Sequence, residues 1–298
     1  MTDVVAVEQV SDDIVREALT LIEEAARVDG QPAVSEQGRL QLRGGPREGV
    51  THFLVRSGGA LVGYGQLEDV DPVEAPAGEF VVHPAHRGQG FGRALGQALL
   101  TTSGRRLRVW AHGGHAAARH LTQSLGMSLF RELRHMRMPL SLDALPEPRY
   151  PDGVEVRTFV PGKDDAAWLA ANAAAFAHHP EQGALTQRDL DARKEEPWFD
   201  PAGFFLAERR GELVGFHWTK IHEAERLGEV YVVGVVPDAQ GGGLGKALTL
   251  TGLRHLAADR HVQNAMLYVD ADNTAAVNVY DRLGFRIYEV DLMYRTET

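Results

Sequence analysis

Val82-His83-Pro84-Ala85-His86-Arg87-Gly88-Gln89-Gly90-Phe91-Gly92-Arg93-Ala94-Leu95 has a counterpart in the second half of the chain, Val236-Pro237-Asp238-Ala239-Gln240-Gly241-Gly242-Gly243-Leu244-Gly245-Lys246-Ala247-Leu248. Each copy leaves an apolar run, turns at a proline and enters a helical pattern. Arg/Gln-x-x-Gly-x-Gly at such a junction exposes several backbone N–H groups at a helix N-terminus, where the macrodipole favours an anion. Each copy therefore reads as a pyrophosphate cradle. Repetition over half the chain means two related domains.

The order of elements around the cradles repeats as well. Asp12 to Val28 is expected to be helical, Phe53-Leu54-Val55 and Leu61-Val62-Gly63-Tyr64 to form a hairpin about Gly58-Gly59, and Phe80-Val81-Val82 to lead into the first cradle. In the second half the same order runs through a helix at Asp164 to Ala177, a hairpin about Arg210-Gly211 and a strand at Val230 to Val233. After each cradle helix come a strand, Leu107 to Trp110 or Met266 to Val269, a short helix, and a last strand after Gly126 or Gly284. This is a mixed α+β layer occurring twice. Pro139, Pro146, Pro148 and Pro151 cannot continue a helix or a central strand, so the expected division is a domain over 1–140, a linker over 141–153 and a domain over 154–298.

Composition narrows the functions open to such a chain. A net charge of -10 argues against nucleic acid, whose phosphates want a basic face. Up to Leu145 there are 17 acids against 15 bases, and beyond it 24 against 16, so the second half would draw a cationic acceptor or simply carries a solvated acidic surface. No stretch reaches the roughly 18 to 20 apolar residues of a membrane span. The N-terminal residues lack the basic-then-apolar pattern of a secretion signal. The absence of cysteine excludes disulfides, thiolate metal sites and cysteine nucleophiles, and fits a reducing cytoplasm. His52, His83, His86, His112, His115 and His120 match no common ligand spacing, so no metal is expected. Neither a dinucleotide Gly-x-Gly-x-x-Gly unit in its βαβ context nor a Walker-type loop is present.

In the second half, a strand followed by Asn273-x-x-Ala276 and a helix reaching Tyr280-x-x-Leu283-Gly284-Phe285, combined with the cradle, resembles the GNAT acetyltransferases. The resemblance implies two tandem GNAT domains and acetyl-CoA as cosubstrate, with one copy bound in each domain. By matching position, its cofactor-binding residues are Phe80, Val81 and Val82 with Arg87, Gly88, Gln89, Gly90, Phe91, Gly92 and Arg93 in the first half. In the second they are Val233, Gly234 and Val235, then Gln240, Gly241, Gly242, Gly243, Leu244, Gly245 and Lys246, then Asn273, Thr274, Ala275, Ala276, Val277 and Asn278. The strand entering each cradle would pair its free backbone groups with the pantetheine arm. Gly234 there permits a bulge or answers to packing. Gly241-Gly242 stand where basic residues often sit, leaving Lys246 to supply charge.

Alignment of Pro84 with Pro237 and of Leu125-Gly126 with Leu283-Gly284 places Glu229 opposite Pro76 and Tyr280 opposite Thr122. Glu79, the nearest acid in the first half, lies an odd number of positions from Pro76 and is expected on the other face of its strand. Only the second half then looks equipped for chemistry. Glu229 would act as base toward an α-amine, whose pKa of roughly 7.7 to 8.0 calls for modest help, and Tyr280 as acid toward the departing sulfur. A strand N–H near Val233 would face the oxyanion. Read singly, Glu229 is equally an exposed edge-strand charge and Tyr280 a core aromatic.

Within the GNAT proteins the tandem arrangement at this length resembles the mycothiol synthase family. Val34-Ser35-Glu36-Gln37, Ala177-His178-His179-Pro180-Glu181-Gln182-Gly183, Leu227-Gly228-Glu229-Val230-Tyr231-Val232-Val233-Gly234-Val235 and Leu267-Tyr268-Val269-Asp270-Ala271-Asp272-Asn273 carry that resemblance. It implies acetylation of the cysteinyl amine of cysteine-glucosamine-inositol, an active C-terminal domain, and an N-terminal domain that holds acetyl-CoA without turnover. Its acceptor-binding residues would be Glu36, Glu181, Lys220, Glu229 and Tyr268. The expected partner is thus a sugar-inositol thiol, with no nucleic acid, no membrane and a monomeric chain. A tandem GNAT acting on an aminoglycoside, a peptide N-terminus or another small amine stays open, as does a non-catalytic acyl-CoA sensor.

Overall fold

The computed structural model describes residues 2–71, 73–179 and 182–297. In chain order its elements are β1 (Val4–Val7), α1 (Asp12–Asp29), α2 (Glu36–Arg43), β2 (Val50–Ser57), β3 (Ala60–Glu68), β4 (Ala77–Val82), α3 (Phe91–Thr102), β5 (Arg108–Ala111), α4 (Ala116–Ser124) and β6 (Met127–Pro139). There follow β7 (Val154–Thr158), α5 (Asp165–Ala175), α6 (Gln187–Lys194), β8 (Phe204–Arg209), β9 (Glu212–His222), β10 (Leu227–Val235), α7 (Leu244–Ala258), β11 (Asn264–Asp270), α8 (Thr274–Leu283) and β12 (Arg286–Thr296). The repeated order read from the sequence is present in full. Helix α1 starts where Ser11 accepts from the Ile14 N–H, and stops at Gly30, in the left-handed conformation at φ 78°.

The chain divides into two compact units that are not its consecutive halves. Unit 1 comprises Met1–Leu133, Asp270–Asp272 and Glu289–Thr298; unit 2 comprises Arg134–Val269 and Asn273–Tyr288. The end of β12 therefore belongs to unit 1, and the end of β6 to unit 2. Residues 141–153 belong to unit 2 and are held there: Leu140 and Leu145 are buried in its core, and Arg254 donates to the Leu145 carbonyl at 3.0 Å.

In unit 1 the strand order is β1-β2-β3-β4-β5-β12, antiparallel throughout except for β4 with β5. Side chains alternate faces along β2. Leu54 packs with Ala18, Leu21 and Ile22 of α1, while Phe53 and Val55 pack with Leu95 and Leu99 of α3. In unit 2 the order is β6-β11-β10-β9-β8-β7, with β10 and β11 parallel. Leu206, Phe216 and Trp218 pack with Trp168 of α5 and Leu190 of α6, while Ala207 and Val214 meet Leu244 and Leu248 of α7 on the other face.

Both sheets open at the same place. The parallel register of β4 with β5 covers only Ala77↔Arg108 and Gly78↔Val109, although β4 stays paired with β3 as far as Val82. Likewise β10 pairs with β11 only from Leu227 to Val230, yet with β9 as far as Val235. Beyond those points each central strand presents its β5-side or β11-side backbone to a gap, and each gap ends at a cradle. Among the described residues, no helix is long and apolar enough to cross a membrane.

Candidate active site

The cradles are built by backbone conformation. Gly88 and Gly90 have φ of 75° and 89°, and Gly241 and Gly243 of 84° and 83°, where a side chain is strained. A Cβ on any of these four would meet nothing within 4 Å, so glycine is needed there for the turn and not for room. Gly90 and Gly243 cap α3 and α7 without a side-chain hydrogen bond, leaving the first helical N–H groups pointing into the cradle. Gln240 Nε2 donates to the Val235 carbonyl at 3.0 Å and Arg87 Nε to the Val82 carbonyl at 3.2 Å, so the first residue of each cradle ties the loop to the strand before it. Arg87 is further committed to Asp29 through two bonds of 2.7 and 2.8 Å. Gly234 is a packing position: its Cβ would stand 2.6 Å from the Phe216 ring. Of the two readings of Gly234, packing is the one observed; the bulge of this strand lies between Val230 and Val232.

That single bulge corrects the sequence alignment. Lys220 faces Glu229 and Trp218 faces Val232 in unit 2, whereas Glu68 faces Ala77 and Gln66 faces Glu79 in unit 1. One extra residue flips the side-chain parity upstream of it. The positional counterpart of Glu229 is thus Ala77 and not Pro76, and Glu79 lies on the same face as that counterpart, not on the opposite one.

Glu229 is buried, at 4% exposure, and not the exposed edge charge its sequence context also allowed. It lies between Lys220 of β9 and Met266 of β11. His222 Nε2 stands 2.6 Å from Glu229 Oε2. No described residue hydrogen-bonds Oε1. On the same face, Lys220 Nζ sits 4.4 Å from the centroid of the Trp198 ring and 5.0 Å from that of Tyr231, whose hydroxyl accepts from Arg193 Nε at 2.8 Å. Tyr268, 39% exposed, stands edge-on to His135 with centroids 4.3 Å apart. Glu181 lies outside the described residues. Its neighbour Gln182 exchanges hydrogen bonds of 2.7 and 2.9 Å with the fully buried Asn172.

Tyr280 belongs to the core on the α7 face, among Leu253, Leu256 and Phe285. Burial pushes its phenol up to about 12, and no described residue hydrogen-bonds it. Glu229 and Tyr280 therefore approach the β10–β11 gap from opposite faces of the sheet. Asn273 caps α8 by accepting from the Ala276 N–H at 3.2 Å, which sets the first turn, Thr274 to Asn278, beside the end of β11. Lys246, on the exposed side of the first turn of α7, supplies the local positive charge.

In unit 1 a cavity of about 390 Å³ follows the gap, lined by Phe80, Val82, Gly88, Gly92, Trp110 and His112 among others. Thr122, aligned with Tyr280, spends its hydroxyl on the Ala118 and Arg119 carbonyls. Glu79 is engaged through both oxygens: Oε2 accepts from the Ser35 N–H and hydroxyl at 3.1 and 3.0 Å, and Oε1 meets His112 Nε2 at 3.1 Å. His112 Nδ1 lies 2.9 Å from Asp291. Burial opposes charge on His112, but its bonds to Asp291 and Glu79 outweigh burial and push it to about 10. The sequence reading missed this cluster, because Asp291 reaches unit 1 from the far end of the chain. Glu36 begins α2 directly after Ser35.

The model of the acetyltransferase (GNAT) family matches residues 16–127 and again 171–285. This chain belongs to the GNAT acetyltransferase family. It is an acyltransferase, and GNAT proteins use acetyl-CoA as cosubstrate. Among GNAT relatives it is 75% identical over 280 residues to the mycothiol acetyltransferase of Streptomyces avermitilis, covering 94% of this chain and 91% of that one. It is 54% identical to the mycothiol acetyltransferase of Thermobispora bispora, covering 93% and 94%. A tandem GNAT protein from the clavulanic acid biosynthesis pathway shares the fold with a TM-score of 0.74 at 18% identity, over 99% of this chain and 98% of that one. A GCN5-related N-acetyltransferase from Sphaerobacter thermophilus does so with a TM-score of 0.68 at 24% identity, over 99% and 95%. Tandem GNAT architecture, read from the repeated cradle, is thereby shown. Among the described residues no group of three or more histidines or acids is arranged to hold a metal.

Proposed function

We propose that this GNAT enzyme transfers the acetyl group of acetyl-CoA to the cysteinyl amine of cysteine-glucosamine-inositol, giving mycothiol and CoA, and that unit 2 performs the chemistry. The acceptor assignment draws on relatives of 70 to 75% identity named mycothiol acetyltransferase. The observation that carries the mechanism is the contrast between two buried carboxylates. Glu79 has both oxygens engaged, whereas Glu229 has one held and, among the described residues, one open.

Acetyl-CoA supplies an activated thioester. The cradle from Gln240 to Lys246 and the first turn of α8 suit its phosphates, and the unpaired edge of Val233 to Val235 suits its amide-bearing arm. Glu229 Oε1 takes the proton of the attacking amine, directly or through water, as the new C–N bond forms. A backbone N–H near Val233 offers a donor to the developing oxyanion. As the C–S bond breaks, Tyr280, kept protonated by its burial, gives its proton to the sulfur. Lys220, Glu229, Tyr268 and Glu181 of unit 2 are assigned to the acceptor, whose hydroxyls and ammonium group suit carboxylates and an amine. Unit 1 holds a second acetyl-CoA in its cavity and does not turn it over, because Glu79, on the face that corresponds to that of Glu229, has both oxygens engaged.

The test is to incubate the enzyme with acetyl-CoA and the cysteinyl pseudodisaccharide and to follow the product by mass, since the acceptor's own thiol confounds colorimetric detection of CoA. N-acetylated product formed with this acceptor and not with aminoglycosides or peptides is the expected result. Equal rates with other amines would overturn the acceptor assignment.

A further inference from the structure

We propose that His222 is a positioning residue for Glu229, fixing which carboxylate oxygen is offered to the acceptor. The inference deepens the reading of Glu229 as base and rests on it.

An ionised carboxylate buried to 4% exposure is costly unless it is hydrogen-bonded. Glu229 has one such partner among the described residues, His222 Nε2 at 2.6 Å. Hydrogen bonds made to a charged group are shorter and stronger than neutral ones. His222 is well placed for the task. It lies two residues beyond Lys220 on β9, on the same face, opposite Leu227, and so reaches Glu229 diagonally across the antiparallel pair. Its side chain is 29% exposed while that of Glu229 is 5% exposed, so the ring stands on the solvent side of the carboxylate.

A free glutamate end group turns through several rotamers, and a base that must meet an amine proton at about 2.6 to 3.2 Å loses rate whenever it points elsewhere. Capture of Oε2 removes that freedom and leaves Oε1 as the only oxygen on offer. Unit 1 shows the other outcome of the same principle: there a histidine holds Glu79 as well, but Ser35 takes the second oxygen and none is left over. Lys220, the facing cation, lies 4.4 and 5.0 Å from the ring centroids of Trp198 and Tyr231, and the hydrogen bond to Glu229 comes from His222.

Steady-state kinetics of His222→Phe, His222→Gln, Glu229→Gln and the double variant Glu229→Gln/His222→Phe test this. His222→Phe is expected to lower kcat about tenfold with KM for acetyl-CoA unmoved, the scale of a misplaced base. The amide N–H of glutamine reaches about where Nε2 stands, so His222→Gln should recover most of the rate. The phenylalanine change should cost nothing further once Glu229 is glutamine, because its effect acts through that carboxylate. If His222→Phe does not fold, by circular dichroism, His222→Asn takes its place, its amide being too short to reach Oε2. Wild-type kcat in the Phe or Asn variant, or equal further loss in the double variant, overturns the inference. Wild-type kcat in Glu229→Gln overturns instead the base on which it rests.

Discussion

At the level of single residues the proposed division of chemistry rests on two buried acids: both oxygens of Glu79 are engaged, whereas among the described residues only Oε2 of Glu229 is held. Replacement of Glu229 by Gln and of Tyr280 by Phe should each cut turnover at least roughly tenfold, while acetyl-CoA binding followed by calorimetry stays close to wild type. His112 adds a pH dependence of stability. Its folded value of about 10 lies above its ordinary 6.5, so its contribution is complete below about pH 6.5 and is lost as the pH rises toward 10. Denaturant midpoints should fall across that window, and Asp291→Asn or His112→Gln should flatten the fall. The glycines of both cradles were legible in the sequence because a left-handed turn before a helix leaves few alternatives. The partners of Glu79 and Glu229 were not. A bulge of one residue changes which side chains share a face without leaving a mark in composition, and His222 looks like any strand-end polar residue.

Among the elements, α7 carries the strictest packing demand. A Cβ on Gly252 would stand 2.1 Å from the ring of His217, which is fully buried and holds the Leu248 carbonyl at 2.7 Å through Nδ1. Burial lowers the His217 pKa to about 4, so the ring stays neutral and cannot escape toward water. Alanine in mid-helix normally gains about 1 kcal/mol over glycine. Overpacking a locked site costs about 1 to 3 kcal/mol, so Gly252→Ala should lower the melting temperature despite the better helix former. Long amphipathic helices and hairpins were readable from periodicity and turn glycines. The short α2 and α6 were not, since they depend on caps, Ser35 with the Gly38 N–H and the reciprocal Thr186–Asp189 pair, more than on an apolar stripe. The edge strands β1 and β7 span too few residues to show alternation.

For the whole molecule, the duplicated cradle, taken with the proposal that unit 2 alone performs the chemistry, predicts two bound acetyl-CoA molecules and one reaction. Mass spectrometry under non-denaturing conditions should find two cofactors per chain, and one when Gly90→Asp places a carboxylate where the first phosphate would sit. The repeat made the doubled architecture plain from sequence, but the membership of the last strand was invisible, because its apolar pattern suits either unit equally. That membership governs the order of assembly. Newly made chains generally fold their N-terminal parts first. Here unit 1 lacks its sixth strand, and the Asp291 that holds His112, until residues 289–298 have been synthesised. The unit whose first strands are made earliest thus waits for a strand made more than 150 residues later than its others, and a nonsense codon at Glu289 would injure the first half of the protein.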